Sequence, residues 1–113
     1  MNVVWIINDS GHDFSAAESY GELVPLSMGA LDRYDITGMY RHFNAALAES
    51  EPQDWILHTG PNVMASLACS IFSARHGRLN LLLWHSGSNG NDSYLTRKVV
   101  FAPPADPERQ IRS

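Results

Sequence analysis

Only one cysteine, Cys69, occurs in the 113 residues. No internal disulfide can form, a cysteine-based zinc site is excluded, and a reducing, cytoplasmic setting is the natural expectation. Long apolar runs are missing as well. The opening MNVVWIIND is apolar too briefly for a signal h-region, lacks a basic n-region and meets charge at Asp9, and no later run approaches a membrane span. The chain is therefore expected to be soluble, untargeted and free of membrane contact. Charge of one sign is also scarce: 8 basic and 12 acidic residues give a formal net charge of -4, with the acids dispersed. Neither a basic track for nonspecific DNA binding nor a DNA-mimicking acidic face is visible. The signatures G-x-G-x-x-G and G-x-x-x-x-G-K-[ST] do not occur, which argues against an ordinary dinucleotide or ATP-hydrolysing site.

A hydrophobic content of 44% suits one domain that buries a core without staples. We read a single α/β domain over 1–102 and a flexible C-terminal tail over 103–113. Val3 to Ile7 is a continuous apolar run, the pattern of a strand buried on both faces. Ser15-Ala16-Ala17-Glu18 has capping-box spacing and opens a short helix ending near Gly21. Leu23-Val24-Pro25-Leu26 reads as a second strand, at an edge because Pro25 has no amide hydrogen for a ladder. From Asp35 to about Ser50, Ile36, Met39, Tyr40, Phe43 and Leu47 share one side of a helix capped by Asp35.

Trp55 to His58 is a third strand, and Thr59-Gly60-Pro61 opens a helix, with the proline in its first turn, that runs to Gly77, a left-handed stop. Leu79 to Trp84 is a fourth strand, apolar except for Asn80. His85 to Ser93 contains the turn pair Asn89-Gly90, and Tyr94 to Phe101 returns as a fifth strand. Right-handed crossovers then favour the strand order 2-1-3-4-5. The expected fold is a Rossmann-like or flavodoxin-like three-layer sandwich, with a mainly parallel five-stranded sheet and an antiparallel C-terminal edge hairpin.

In that order the chain reverses direction between strands one and three, and ligands of open sheets bind in the crevice at such a point, beyond the carboxyl ends of the strands. The segments there are Asn8-Asp9-Ser10-Gly11-His12-Asp13 and His58-Thr59-Gly60-Pro61-Asn62, with Trp84 and His85 beside them. Each residue taken alone has a plain reading as turn chemistry that satisfies local amides. Their convergence is what makes a pocket.

Three chemistries compete for it. Thr59-Gly60 before an uncharged helix offers free amides and a positive dipole end to an anion, against the plain reading of a helix start chosen for packing. His12, His58 and His85 with Asp9 or Asp13 could form a mixed metal set, although their spacing matches no zinc pattern and polar hydrogen bonding is the commoner use. Ser10 could act as a nucleophile with His58 or His85 as base. Asp9-Ser10 resembles the Asp-Ser block of SGNH-type hydrolases, but the later Asp-x-x-His block is lacking and the triad cannot be completed. His42 and His76 read as surface or capping residues, His76 favourable in its charged form at a helix end. Trp55 and Trp84 read more readily as core or rim packing than as stacking platforms, and Cys69 as an inert small core residue.

NDSGHDF, YRHF and RHGRLNLLLW together resemble a set of short α/β proteins encoded by bacteriophages and prophages, over most of the chain from Val3 to Phe101. The resemblance carries no catalytic residues. It implies a bacterial-cell setting and an accessory or counter-defence role.

The handedness rule also places both longer helices on one face of the sheet and leaves the short first helix on the other. So thin a cover would expose an apolar patch, and homodimerisation is expected unless Ser27 to Tyr34 and the tail fold over it. The leading expectation is a ligand-binding protein that holds a nucleotide or other phosphorylated metabolite at the rim, with no cofactor or metal implied. A module docking a host or defence protein is the alternative, and a histidine-dependent hydrolase the third.

Overall fold

The computed structural model describes residues 2–29, 34–87 and 92–101. Its strands are β1 (Val3–Ile6), β2 (Glu22–Pro25), β3 (Trp55–Leu57), β4 (Arg78–His85) and β5 (Ser93–Val100), and its helices are α1 (Ile36–Leu47) and α2 (Asn62–His76). A 3-10 helix, Ser15–Tyr20, joins β1 to β2. The sheet order is β2-β1-β3-β4-β5, parallel through β4 and closed by the antiparallel pair β4–β5. The proline-bearing strand lies at an edge, as its missing amide hydrogen requires.

Period-two alternation divides the apolar strand residues between two faces. Trp5, Ile7 and Ile56 pack beneath Met39, Phe43 and Leu47 of α1 and Met64, Ala68 and Phe72 of α2. Val4, Ile6, Trp55, Leu57, Leu82 and Tyr94 face the other way, where Phe14 and Ala17 are the cover. Among the described residues, one face thus carries two helices and the other a single 3-10 helix.

The Asp35 side chain accepts from the Gly38 amide at the start of α1. α2 stops at Gly77 in the left-handed conformation, φ 69°. Two expectations are corrected. Ser15 and Glu18 form no capping box: the 3-10 helix has no side-chain cap, because Asp13 takes the Ser15 amide instead (2.9 Å). Pro61 is the N-cap of α2 in extended conformation rather than a first-turn residue. The Asn89-Gly90 turn pair and the tail over 103–113 lie outside the described residues, as does part of Ser27 to Tyr34.

At the amino ends of the strands, the Asp54 carboxylate is 1% exposed. It accepts from Val3 N (2.9 Å), Trp5 Nε1 (3.1 Å) and Glu51 N (2.8 Å). Buried Asn80 donates to the Pro52 and Asp54 carbonyls, both at 2.8 Å. This polar clasp ties β1, β3 and β4 together at the rim opposite the crevice.

Candidate functional site

β1 delivers the chain to the 3-10 helix on one face, and β3 delivers it to α2 on the other. The two connections separate at the carboxyl rim, which is how a parallel sheet opens a crevice. A cleft of about 380 Å³ lies there, lined by His12, Asp13, Phe14, Leu57, His58, Thr59, Trp84 and Tyr94. Four separated stretches of chain contribute to it. Larger hollows exist, one of about 480 Å³ between α1 and α2 and one of about 750 Å³ beside β2. They are shallower grooves away from the strand ends, so the carboxyl-rim cleft is the better candidate.

The cleft has an aromatic wall. Trp84 and Tyr94 face each other across the β4–β5 ladder and meet edge to face, centroids 5.0 Å apart, with Trp84 51% exposed and Tyr94 buried. His12 meets Phe14 in the same way at 6.2 Å. Burial, and after it the charge of Asp13, holds the Tyr94 phenol above the ordinary tyrosine range. Asp13 is exposed, and the Ser15 backbone amide first and hydroxyl second keep its carboxyl below the usual value. At cellular pH the cleft therefore presents one carboxylate and a neutral phenol.

Of the residues singled out from sequence, His12, Asp13, His58, Thr59 and Trp84 line this one cleft. The others do not. Asn8 is buried, and its side-chain oxygen shares the Ser27 hydroxyl (3.0 Å) with the Ile7 carbonyl (2.7 Å). Asp9 continues the sheet through a bridge to Met28, and its carboxylate accepts from the Gly11 amide at 3.0 Å. Both therefore do local structural work. Ser10 and Gly11 are exposed on the connecting loop. Gly60, at φ +89°, packs against Asn8, where an added Cβ would sit 3.1 Å from the Asn8 Cβ. Asn62 begins α2. His85 ends β4 one residue beyond Trp84, so alternation turns it to the opposite face.

Phe14, Leu57 and Tyr94 belong to the cleft but were not singled out. Tyr94 stands opposite Trp84 in the C-terminal hairpin, a pairing whose register the sequence leaves open. Leu57 immediately precedes His58, and Phe14 follows His12 by two.

Among the described residues, no three His, Cys, Asp or Glu side chains are grouped so as to hold a metal ion. Nor does Ser10 bond an imidazole. A serine–histidine contact does exist elsewhere: Ser50 Oγ lies 2.7 Å from His76 Nε2. Ser50, however, is buried and gives its single proton to the Leu47 carbonyl (2.5 Å), so His76 Nε2 must be the donor, the reverse of a base activating a nucleophile. Burial first, and Arg75 second, lower the His76 pKa, which corrects the expected charged helix-end role. His42 instead reaches the Leu26 carbonyl at 2.7 Å and ties α1 to the end of β2. Burial raises the Cys69 thiol.

Among the described residues, no helix is long and apolar enough to cross a membrane. No curated protein and no solved structure matches the chain. A family model does match, over residues 4–96, a span that takes in every residue lining the cleft, and the chain belongs to the phage Pam3 gp32-like protein family.

Proposed function

We propose that this is a small-ligand-binding protein of a phage, working inside the bacterial cell, whose carboxyl-rim cleft takes a nucleotide or other phosphorylated metabolite. The observation that carries the reading is the joining of four chain segments in one concave cleft at the point where the sheet reverses direction. The order 2-1-3-4-5 is that of flavodoxin-like sheets, which bind at this place. We read the fold as a Rossmann-like three-layer sandwich with one layer reduced to the 3-10 helix.

The lining suits a planar, polar molecule. Trp84, Tyr94 and Phe14 offer ring faces and edges, while His12, His58 and Thr59 offer donors and acceptors to a base edge. An anionic end would turn to the start of α2, which follows the lining residues His58 and Thr59 in the chain but contributes nothing to the lining itself. α2 has no side-chain cap, and the Met64 and Ala65 amides both turn to the Pro61 carbonyl. The Asn62 and Val63 amides remain at the positive end of a 15-residue helix, a setting that favours phosphate without a lysine.

The test is a melting panel of nucleosides, nucleotides and sugar phosphates. A ligand at a hundred times its Kd adds about 2.7 kcal/mol to the native state. At least one phosphorylated member should raise the Tm of the wild type, and the rise should vanish in Trp84→Ala and His58→Ala. A panel with no shift overturns the reading. The half-exposed Trp84 favours a second reading, docking of a host protein on the same rim, since buried tryptophans commonly anchor interfaces. A Trp84-dependent complex with no nucleotide shift would select that one.

A further inference from the structure

Among the described residues, both edges of the sheet are open strands, but they differ in what they present. In β2, the Glu22 amide bonds Asn2 O and the Leu26 amide bonds Ile6 O, so the alternate residues Leu23 and Pro25 face outward. Pro25 has no N–H, which leaves this short edge a single outward donor. β5 is different. Its ladder with β4 runs without a bulge from Arg78↔Val100 to His85↔Ser93, and the Phe101 amide continues it to Gly77 O at 3.0 Å. Odd-numbered residues therefore face β4. The N–H and C=O groups of Tyr94, Thr96, Lys98 and Val100 face outward. Among the described residues only the Thr96 carbonyl has a partner, Arg97 Nη1 at 2.7 Å, an exposed contact that is readily released. No proline interrupts the strand, and Val100 is 73% exposed. A long, straight edge of this kind is a template for another strand.

We propose that the β5 edge is a self-association surface, on which β5 of a second copy pairs antiparallel about a twofold axis with Thr96 opposite Thr96. The choice of occupant rests on the strand's own sequence. Twofold pairing joins residues of the same parity, and outward backbone groups must meet outward groups. Two such registers overlap nearly all of β5, one centred on Thr96 and one on Arg97. The second sets Arg97 against Arg97, and like charges directly opposite are unfavourable. The first sets Thr96 against Thr96, a favourable pair, and Tyr94 against Lys98, whose ammonium keeps its place over the Trp55 ring of its own chain, 5.2 Å from the centroid. No like charges then stand directly opposite. The result is a continuous sheet through two chains, with the exposed edge strand made interior.

Light scattering and sedimentation at micromolar concentration test this. The wild type should be a dimer. Thr96→Pro should be a monomer with unchanged far-ultraviolet circular dichroism, because the Thr96 amide lies outside the β4 ladder. A second measurement does not depend on disruption. In a Cys69→Ser background, Thr96→Cys should oxidise to a disulfide-linked dimer several-fold faster than Arg97→Cys, since facing Cα atoms in such a pair are about 5.5 Å apart. A monomeric wild type, which leaves the edge to an extended segment of another protein, overturns the proposal. So does a dimer that survives Thr96→Pro, or faster cross-linking at position 97.

Discussion

Tyr94 and Asp13 show how one residue sets the chemistry of another in the cleft. The phenol is held above its ordinary value by burial first and the Asp13 charge second. A raised native pKa means that the folded chain holds the proton more tightly than the unfolded one. Its contribution to stability is complete below the unfolded value, about 10, and is lost as pH rises through the native one. Asp13→Asn should therefore bring the Tyr94 titration part of the way down and leave it above that of free tyrosine, because burial remains. Phenolate absorbance against a Tyr94→Phe blank reads this directly. At the opposite rim, Asp54 supplies the acceptor for two backbone amides and the Trp5 indole. Asp54→Ala leaves all three donors without it, and the expected loss is about 2–5 kcal/mol in denaturant unfolding at constant m. Trp5→Phe removes one donor and should cost less at this clasp. Asn80 was visible in the sequence as the polar break in an apolar run. Asp54 was not, because a carboxylate before a strand looks like any loop residue until its donors are known.

The elements themselves were legible wherever periodicity is strong. The apolar runs of β1, β3 and β4, the spacing of Met39, Phe43 and Leu47, and the stop at Gly77 each follow from local sequence, and strand order follows from crossover handedness. The short helix Ser15–Tyr20, ending at Gly21, was legible as an element but not in its 3-10 geometry or its cap, since the Ser15 amide goes to Asp13 and not to Glu18. The hairpin register was also hidden. A slip of one residue exchanges the faces of every side chain, and a turn rich in glycine, serine and asparagine does not fix the loop length. That is why the sequence singles out Trp84 but not Tyr94, which the register sets opposite it. The rim loops of β1 and β3 meet at Gly60, whose positive φ disfavours any side chain and whose Cβ position is crowded by buried Asn8 at 3.1 Å. Gly11 has φ +103° with open space around it. Both alanine variants carry conformational strain of about 1–2 kcal/mol. Gly60→Ala should lower the Tm further than Gly11→Ala, and the difference measures the contact between the loops.

At the scale of the whole molecule, the sheet separates two kinds of polar group. The amino rim holds buried, fully bonded ones, Asp54 and Asn80, whose work is to fix the strands. The carboxyl rim holds exposed ones, His12, Asp13 and His58, of which Asp13 also holds the Ser15 amide at the start of the 3-10 helix. A ligand in the cleft touches segments next to β1, β3, β4 and β5 at once, so it should act as a brace across the sheet rather than on one loop. Hydrogen exchange distinguishes these. With a phosphorylated ligand bound, protection should rise together around residues 12–14, 57–59, 84 and 94. The amides at Val3 and Glu51, already held by Asp54, should change only as far as global stability does. Protection confined to the loop over 8–13 would place the ligand outside the cleft, and protection centred on α1 and α2 would place it in the groove between those helices.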